Sequence, residues 1–178
     1  ALYYLHDRKS VLHLNLKPNR VKADMNQDGT YTVKLTDCGF ALPIAEKTED
    51  RPLRGTPSYM PTEMALGEKV KLSPVSDLQS AGILFYQCIT GKVPFIGRKV
   101  AGSDINKLKK IVAEEVLPLP ASTIEEKCPE KLSEIVMKLL QKEPEARGFQ
   151  SAREVIEELK MKLPDAARKN LSLIKPLR

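Results

Sequence analysis

Residues 78–89 constrain the fold more than any other segment, because a helix formed there would be apolar on nearly every side. Its small and apolar members are Ala81, Gly82, Ile83, Leu84, Phe85 and Cys88. A helix without a polar face has to be surrounded by the rest of the protein. Ser73 and Pro74 predict its start, as N-cap and first helical residue, and Gly91 predicts its end. We therefore predict a central buried helix.

Three further helices are predicted downstream, beginning near Ser103 or Asp104, after Pro129 and at Ser151. Each has an apolar stripe at helical spacing, and these stripes are Ile105, Leu108 and Val112; Leu132, Ile135, Val136, Leu139 and Leu140; and Val155, Ile156, Leu159 and Leu163. Upstream, residues 1–9 are typical of the end of a helix. Residues 21–25 and 31–35 flank the turn N-Q-D-G, which predicts a β-hairpin, and 37–60 are predicted to form a long loop. The fold class is mainly α with a small β-hairpin.

The chain has 178 residues and a net charge of +6, which fits one domain. The charge is spread along the chain, which permits an acidic partner but does not demand one. The basic tail has four positive charges without interleaved aromatic residues, so we expect no nucleic-acid partner. The apolar runs are too short to cross a bilayer, so we expect no membrane span. Cys38, Cys88 and Cys128 lack zinc-site spacing, and we expect buried or spectator thiols in the reducing cytoplasm.

Five short motifs follow one another along the chain. They are H-L-N-L-K-P at 13–18, D-C-G at 37–39, G-T-P-S-Y-M-P-T-E at 55–63, S-D at 76–77 and K-E-P-E-A-R at 142–147. In this order and spacing they resemble the C-terminal lobe of a Ser/Thr protein kinase, whose signature is H-R-D-L-K-P-x-N, D-F-G and A-P-E. The resemblance covers residues 1–162 and implies the α+β fold of that lobe, followed by a basic tail over 163–178. The glycine-rich loop and strand lysine of a kinase N-lobe have no counterpart here, so we expect a fragment of a longer protein.

The resemblance implies a role for each matching position. Asp37 matches the metal-binding carboxylate, Lys17 matches the lysine that approaches the γ-phosphate, and Thr56 matches the threonine of the substrate-side loop. Three further matches are structural. In the family, Glu63 and Arg147 would form a buried ion pair, and Asp77 would accept backbone N–H bonds from the catalytic loop.

Two catalytic positions depart from the family pattern. Asn15 stands where the catalytic Asp is expected, and an amide can position a hydroxyl but cannot accept its proton at neutral pH. Arg20 stands where the second metal-holding Asn is expected, and a guanidinium has five donors and no acceptor, so it can contact phosphate but cannot bind Mg²⁺. Leu14 replaces the arginine that pairs with a phosphorylated activation loop. Cys38 replaces the Phe of D-F-G, and we expect it to be a small buried thiol.

Each site residue also has a purely structural interpretation. Asp37 either holds Mg²⁺ or caps the loop after the hairpin, and Asn15 is either a positioning amide or a remnant bonded to its own loop. Lys17 either binds phosphate or stays solvated. Arg20 either neutralises phosphate or pairs with a nearby acid such as Asp24.

These features lead to three hypotheses about function. The first is a catalytically impaired, pseudokinase-type interaction or regulatory module, whose upper face is covered by a protein partner or by the missing N-lobe. The second is an active atypical Ser/Thr kinase that transfers the ATP γ-phosphate to a protein hydroxyl, of which this chain is the substrate-binding lobe. ATP and Mg²⁺ are expected only with an upstream N-lobe. The third is a degenerate fragment with no function of its own.

Overall fold

The predicted central helix forms the core of the structure, which is a computed structural model describing residues 1–46, 55–67, 72–95, 97–98 and 104–163. Helices are numbered here in chain order: α1 (Thr62–Leu66), α2 (Pro74–Thr90), α3 (Ile105–Glu114), α4 (Ala121–Ile124), α5 (Glu130–Leu139) and α6 (Ala152–Lys162). Helix α2 begins after the N-cap Ser73 and ends at Gly91, whose φ of 71° is the left-handed conformation that glycine adopts readily. Both predicted boundaries are confirmed to within one residue.

The other helices pack on α2 or on one another through separate apolar clusters. Leu78 of α2 packs with the predicted stripes of α5 and α6, and Ile83 and Tyr86 of α2 pack with Val136 and Leu140 on another side of α5. Helix α3 buries Leu108 and Val112 against α1. These contacts confirm the stripes of the three downstream helices with two exceptions. Ile156 is half-buried and belongs to none of the core clusters, and the side chain of Ile105 lies outside the description.

Two small antiparallel sheets lie near the start of the chain. Strands β2 (Val21–Met25) and β3 (Tyr31–Leu35) form the predicted hairpin, with Val21 opposite Leu35 and Met25 opposite Tyr31. Strands β1 (Val11–Leu12) and β4 (Leu42–Pro43) pair with each other on either side of the hairpin in the sequence. Short turns complete the path, a π-helical one at Tyr4–Arg8 and 3₁₀ turns at Pro18–Arg20, Pro57–Tyr59 and Pro144–Arg147.

Three details differ from the sequence expectations. Helix α2 is buried through Leu84, but Phe85 is 36% exposed and Cys88 is exposed, so its last turns reach the surface. The predicted loop over 37–60 contains β4 and a 3₁₀ turn, while residues 47–54 lie outside the description. Leu163, at the predicted start of the tail, is buried in the core, and residues 164–178 are also not described.

None of the helices in the described part of the chain is long and apolar enough to cross a membrane.

Gly82 lies at a close contact between α2 and α5. A Cβ at this position would lie 2.6 Å from the Cβ of Leu139. An alanine would gain about 1 kcal/mol of helix propensity, but overpacking a close helix contact costs about 1–3 kcal/mol. We expect Gly82→Ala to lower the free energy of unfolding in urea and Gly82→Val to lower it further. Cys88→Ala, on the exposed side of the same helix, is the control, and an unchanged or higher stability for Gly82→Ala would contradict the packing argument.

Candidate functional site

The buried carboxylate of Asp77 connects the first turn of α2 to the segment that precedes Asn15. Asp77 Oδ2 accepts the backbone N–H of His13 at 2.7 Å, and Oδ1 accepts the backbone N–H of Leu14 at 2.8 Å. His6 Nε2 lies 2.8 Å from Oδ2, in the same buried site. One side chain therefore holds the backbone of the loop that carries Asn15 and Lys17.

Leu14 adopts a backbone conformation that is unusual for a leucine. Its φ is 56°, in the left-handed region, where a non-glycine residue costs on the order of 1–3 kcal/mol. Two features offset this cost, the hydrogen bond to Asp77 and the burial of the Leu14 side chain with Leu12 and Leu42. The loop is thus held in shape from the backbone side and from the apolar side.

Asn15 and Lys17 follow directly on this loop. Asn15 is buried, and its backbone N–H donates to His13 Nδ1 at 3.3 Å. Lys17 Nζ donates to Thr56 Oγ1 at 2.8 Å, which brings the loop against the segment that leads to α1. The structure therefore places two of the predicted site residues, Lys17 and Thr56, in direct contact.

Arg20 and Asp37 form an ion pair at the base of the hairpin. The guanidinium contacts Asp37 Oδ2, with 28% of the Arg20 side chain and 41% of the Asp37 side chain exposed. Arg20 therefore pairs with a nearby acid, in line with one of its two interpretations, but the acid is Asp37 and not Asp24. Asp24 faces Lys34 across the hairpin, with 3.4 Å between Lys34 Nζ and Asp24 Oδ2. The two positions that a kinase would use for metal binding are therefore paired with each other.

The backbone around Asp37 explains the position of Cys38. Asp37 has a φ of 58°, and its Oδ1 accepts the backbone N–H of Gly39 at 3.1 Å. This tight turn leaves Cys38 exposed, so the expectation of a buried thiol is wrong. The residue type alone predicts a buried thiol, whereas the local turn leaves the Cys38 side chain exposed.

The donor set around Asp37 does not fit a Mg²⁺ site. Magnesium takes six oxygen ligands, commonly one or two carboxylates together with phosphates and water. Asp37 offers a carboxylate, but Arg20 contacts it and has no acceptor atom for a metal. Over the described ranges, no three His, Cys, Asp or Glu side chains are grouped so that they could hold a metal ion.

Glu63, in the first turn of α1, forms a buried, two-pronged ion pair with Arg147. The nitrogen-to-oxygen distances are 2.6 and 3.0 Å, and neither side chain is more than 4% exposed. Arg147 also donates to the carbonyl oxygens of Val75, Gln141 and Lys142. The pair therefore ties α1 to α2 and to the turn that follows α5.

The pKa of Glu63 reports the balance of forces in this pair. Burial by itself would raise the pKa of the carboxyl group. Hydrogen bonds from Arg147, its positive charge and a hydrogen bond involving Ser76 outweigh burial, so the pKa lies below its ordinary value. The carboxylate form of Glu63 is thus the stable one in the folded protein.

A second buried ion pair joins Arg98 to Glu115, and neither residue belongs to the five sequence motifs. Arg98 Nη2 lies 2.8 Å from Glu115 Oε2 and 3.2 Å from Thr62 Oγ1, and Nη1 donates to the carbonyl oxygen of Met60. Burial lowers the pKa of Arg98 and raises that of Glu115, and in each case it outweighs the attraction between the charges. This pair therefore positions the Met60–Thr62 backbone beside the end of α3 at a cost in desolvation.

Gln79 completes the support of the same segment. Its Oε1 accepts the backbone N–H of Thr62 at 2.6 Å, and its Nε2 donates to Thr62 Oγ1 at 3.0 Å and to the carbonyl oxygen of Gln141 at 2.9 Å. The sequence does contain a signal for this role, because Gln79 lies within an otherwise apolar helix. Gln79 is fully buried, and a buried polar side chain has to find hydrogen-bond partners.

Removing Arg147 should test how much the buried pair contributes. Arg147→Met leaves Glu63 as an uncompensated buried charge, so we expect the free energy of unfolding to fall by about 3–5 kcal/mol. The double variant Glu63→Leu, Arg147→Met should recover part of this loss, since it removes both charges. Arg153→Met breaks an exposed pair with Glu157 and should leave stability unchanged. Equal effects of Arg147→Met and Arg153→Met in urea titrations would contradict this account.

The same pair predicts a pH dependence. The folded-state pKa of Glu63 lies below the ordinary value of 4.5, so its contribution to stability is complete above that value and is lost as the pH falls through the folded-state pKa. The difference in free energy of unfolding between the unsubstituted protein and Glu63→Gln should therefore shrink on acidification below pH 4.5. A difference that stays constant from pH 7 downwards would show that ionisation of Glu63 has no part in it.

Comparison with known proteins places the chain in a family. The family model described as "Protein kinase domain" matches residues 1–159. The chain is 34% identical over 158 residues to Serine/threonine-protein kinase AtPK1/AtPK6 of Arabidopsis thaliana, covering 87% of this chain and 30% of that protein. It is 33% identical over 158 residues to Serine/threonine-protein kinase PknB of Mycobacterium leprae, covering 87% and 23%. It therefore spans less than a third of the length of either relative. Because the family model matches most of its length, the chain belongs to the protein kinase domain family.

Proposed function

We propose that this protein kinase domain is catalytically impaired and acts as an interaction or regulatory module. The observation that carries the proposal is the Arg20–Asp37 ion pair. Phosphoryl transfer depends on metal-held phosphates and on electrostatic stabilisation of the transferring group. Here the retained carboxylate is neutralised by a side chain that cannot bind a metal, so the negative charge that would attract the cation in an active kinase is offset.

Asn15 supports the same proposal. A side-chain amide at this position can hydrogen-bond a substrate hydroxyl but cannot take its proton at neutral pH. General-base catalysis contributes roughly 10²–10⁴-fold to a rate. The proposed module therefore lacks both the base and the metal arrangement.

The architecture around the altered positions supports a role as a rigid platform. The contacts of Asp77 and the Glu63–Arg147 pair hold the same segments that they would hold in an active kinase. We propose that the groove near α3 and the loop 40–63 binds a protein partner, and that a partner or an upstream lobe covers the upper face. Free cysteines at Cys38 and Cys88, both exposed, favour a reducing, cytoplasmic location.

One observation favours the second candidate function, an active atypical Ser/Thr kinase. Lys17 and Thr56 are in contact at 2.8 Å, as they would be in a loop arranged for a protein substrate. Phosphoryl transfer depends mainly on positioning and electrostatics, so loss of the base need not abolish it. In this candidate the chain supplies the substrate-binding lobe, a protein hydroxyl is the acceptor, and ATP with Mg²⁺ requires an upstream lobe.

Phosphate transfer by the full-length protein distinguishes the two candidates. We expect no incorporation of labelled γ-phosphate into the protein itself or into a generic protein substrate above the level of an Asp37→Ala control. Robust transfer that Asp37→Ala abolishes would overturn the proposal of impaired catalysis.

The variant Asn15→Asp adds a second measurement. If the atypical kinase is active, restoring the carboxylate should raise its rate by roughly 10²–10⁴-fold. If the domain is impaired at the Arg20–Asp37 pair as proposed, Asn15→Asp alone should leave transfer at the background level.

A further inference from the structure

We propose that the Arg20–Asp37 pair turns this domain into a metal-independent phosphate-binding site, at which the triphosphate of ATP binds without a divalent cation. The inference rests on the proposed function, because it assumes that the metal arrangement of the family is lost. It goes further by assigning the task of the missing cation to Arg20, assisted by Lys17.

The backbone fixes Arg20 at the edge of this site. Arg20 ends the 3₁₀ turn that Lys17 begins, and its N–H donates to the carbonyl oxygen of Lys17 at 2.9 Å. Its own carbonyl oxygen accepts the N–H of Thr36 at 2.9 Å and the Thr36 hydroxyl at 3.3 Å. Two cationic residues, Lys17 and Arg20, thus stand at the two ends of a single turn that is anchored to the hairpin.

The Arg20 side chain keeps capacity for a further ligand. A guanidinium carries five N–H donors, and the structure gives one of its nitrogens to Asp37 Oδ2. Its Nε is buried and has no hydrogen-bond partner among the described residues, so a ligand from solvent has to approach the exposed remainder of the side chain. The side chain is 28% exposed, so a phosphate group can reach it. A planar guanidinium matches the geometry of phosphate oxygens, and charge-assisted bonds of this kind are strong.

The role of Asp37 separates this site from a metal-dependent one. In a metal-dependent site, the carboxylate attracts the cation that bridges the phosphates, so losing it weakens nucleotide binding. In the proposed site, Asp37 competes with phosphate for Arg20 and repels its negative charge. Neutralising Asp37 should therefore strengthen binding, which is the opposite effect.

The test measures equilibrium binding of ATP to the full-length protein, once in EDTA and once in excess Mg²⁺. We expect the Kd in EDTA to be equal to or lower than that in Mg²⁺. Asp37→Asn should lower the Kd in EDTA by about threefold to tenfold, since it frees a charge-assisted bond. Asparagine tolerates the left-handed φ of 58° at this position.

Arg20→Asn is the reciprocal variant. It should weaken binding in EDTA by at least about tenfold and should make the remaining binding depend on Mg²⁺, because an amide oxygen then stands beside Asp37. Its fold should survive, since the bonds from Thr36 use the backbone oxygen of residue 20. Lys22→Asn is the matched control, because it removes one positive charge from an exposed position of β2. Thermal unfolding checks that all three variants are folded.

Each alternative outcome overturns the inference. These outcomes are tighter binding with Mg²⁺ than in EDTA, weaker binding by Asp37→Asn, equal effects of Arg20→Asn and Lys22→Asn, or no ATP binding in either condition. The last outcome would leave the proposal of impaired catalysis intact. Transfer of phosphate to protein would overturn that proposal separately, whatever the binding result in EDTA.

Discussion

The structure depends first on the buried carboxylate of Asp77. It sits in the first turn of α2, where the partial positive charge of the helix end favours an anion, and it satisfies two backbone N–H groups of the loop at His13 and Leu14. Without this acceptor, those donors would be buried and unpaired, and Leu14 would have little to offset its left-handed backbone. The most apolar helix of the protein thereby controls the shape of its most polar loop.

Two buried ion pairs hold residues 60–63 in physically different ways. Glu63 is stabilised as a carboxylate because Arg147 meets both of its oxygens and three backbone carbonyls satisfy the rest of the guanidinium. At Arg98 and Glu115, desolvation outweighs attraction for both partners. The first pair contributes to stability, whereas the second is better understood as fixing the path of residues 60–62 beside α3.

Within this framework, Arg20 and Asp37 are paired with each other. A carboxylate and a guanidinium now stand side by side where the family pattern would place two metal ligands. The substitution is local, since Arg20 and Asp37 flank the hairpin and do not take part in the core clusters. The ion pair therefore lies outside the apolar packing that holds the domain together.

The sequence by itself determined the hairpin, the four longer helices and the family, whereas α1, α4 and the β1–β4 pair were not predicted from it. The continuous apolar pattern of 78–89, the stripes of α3, α5 and α6 and the N-Q-D-G turn are local signals, and each corresponds to an observed helix or hairpin. The motif order identified the candidate site residues, because their spacing along the chain is a property of the sequence. Only the tertiary structure decided which partners they meet: Arg20 contacts Asp37 and not Asp24, Cys38 is exposed, and Arg98 is buried against Thr62 and Glu115. These outcomes depend on distances between segments that are far apart in the chain or on a single left-handed turn, and neither is written in local periodicity.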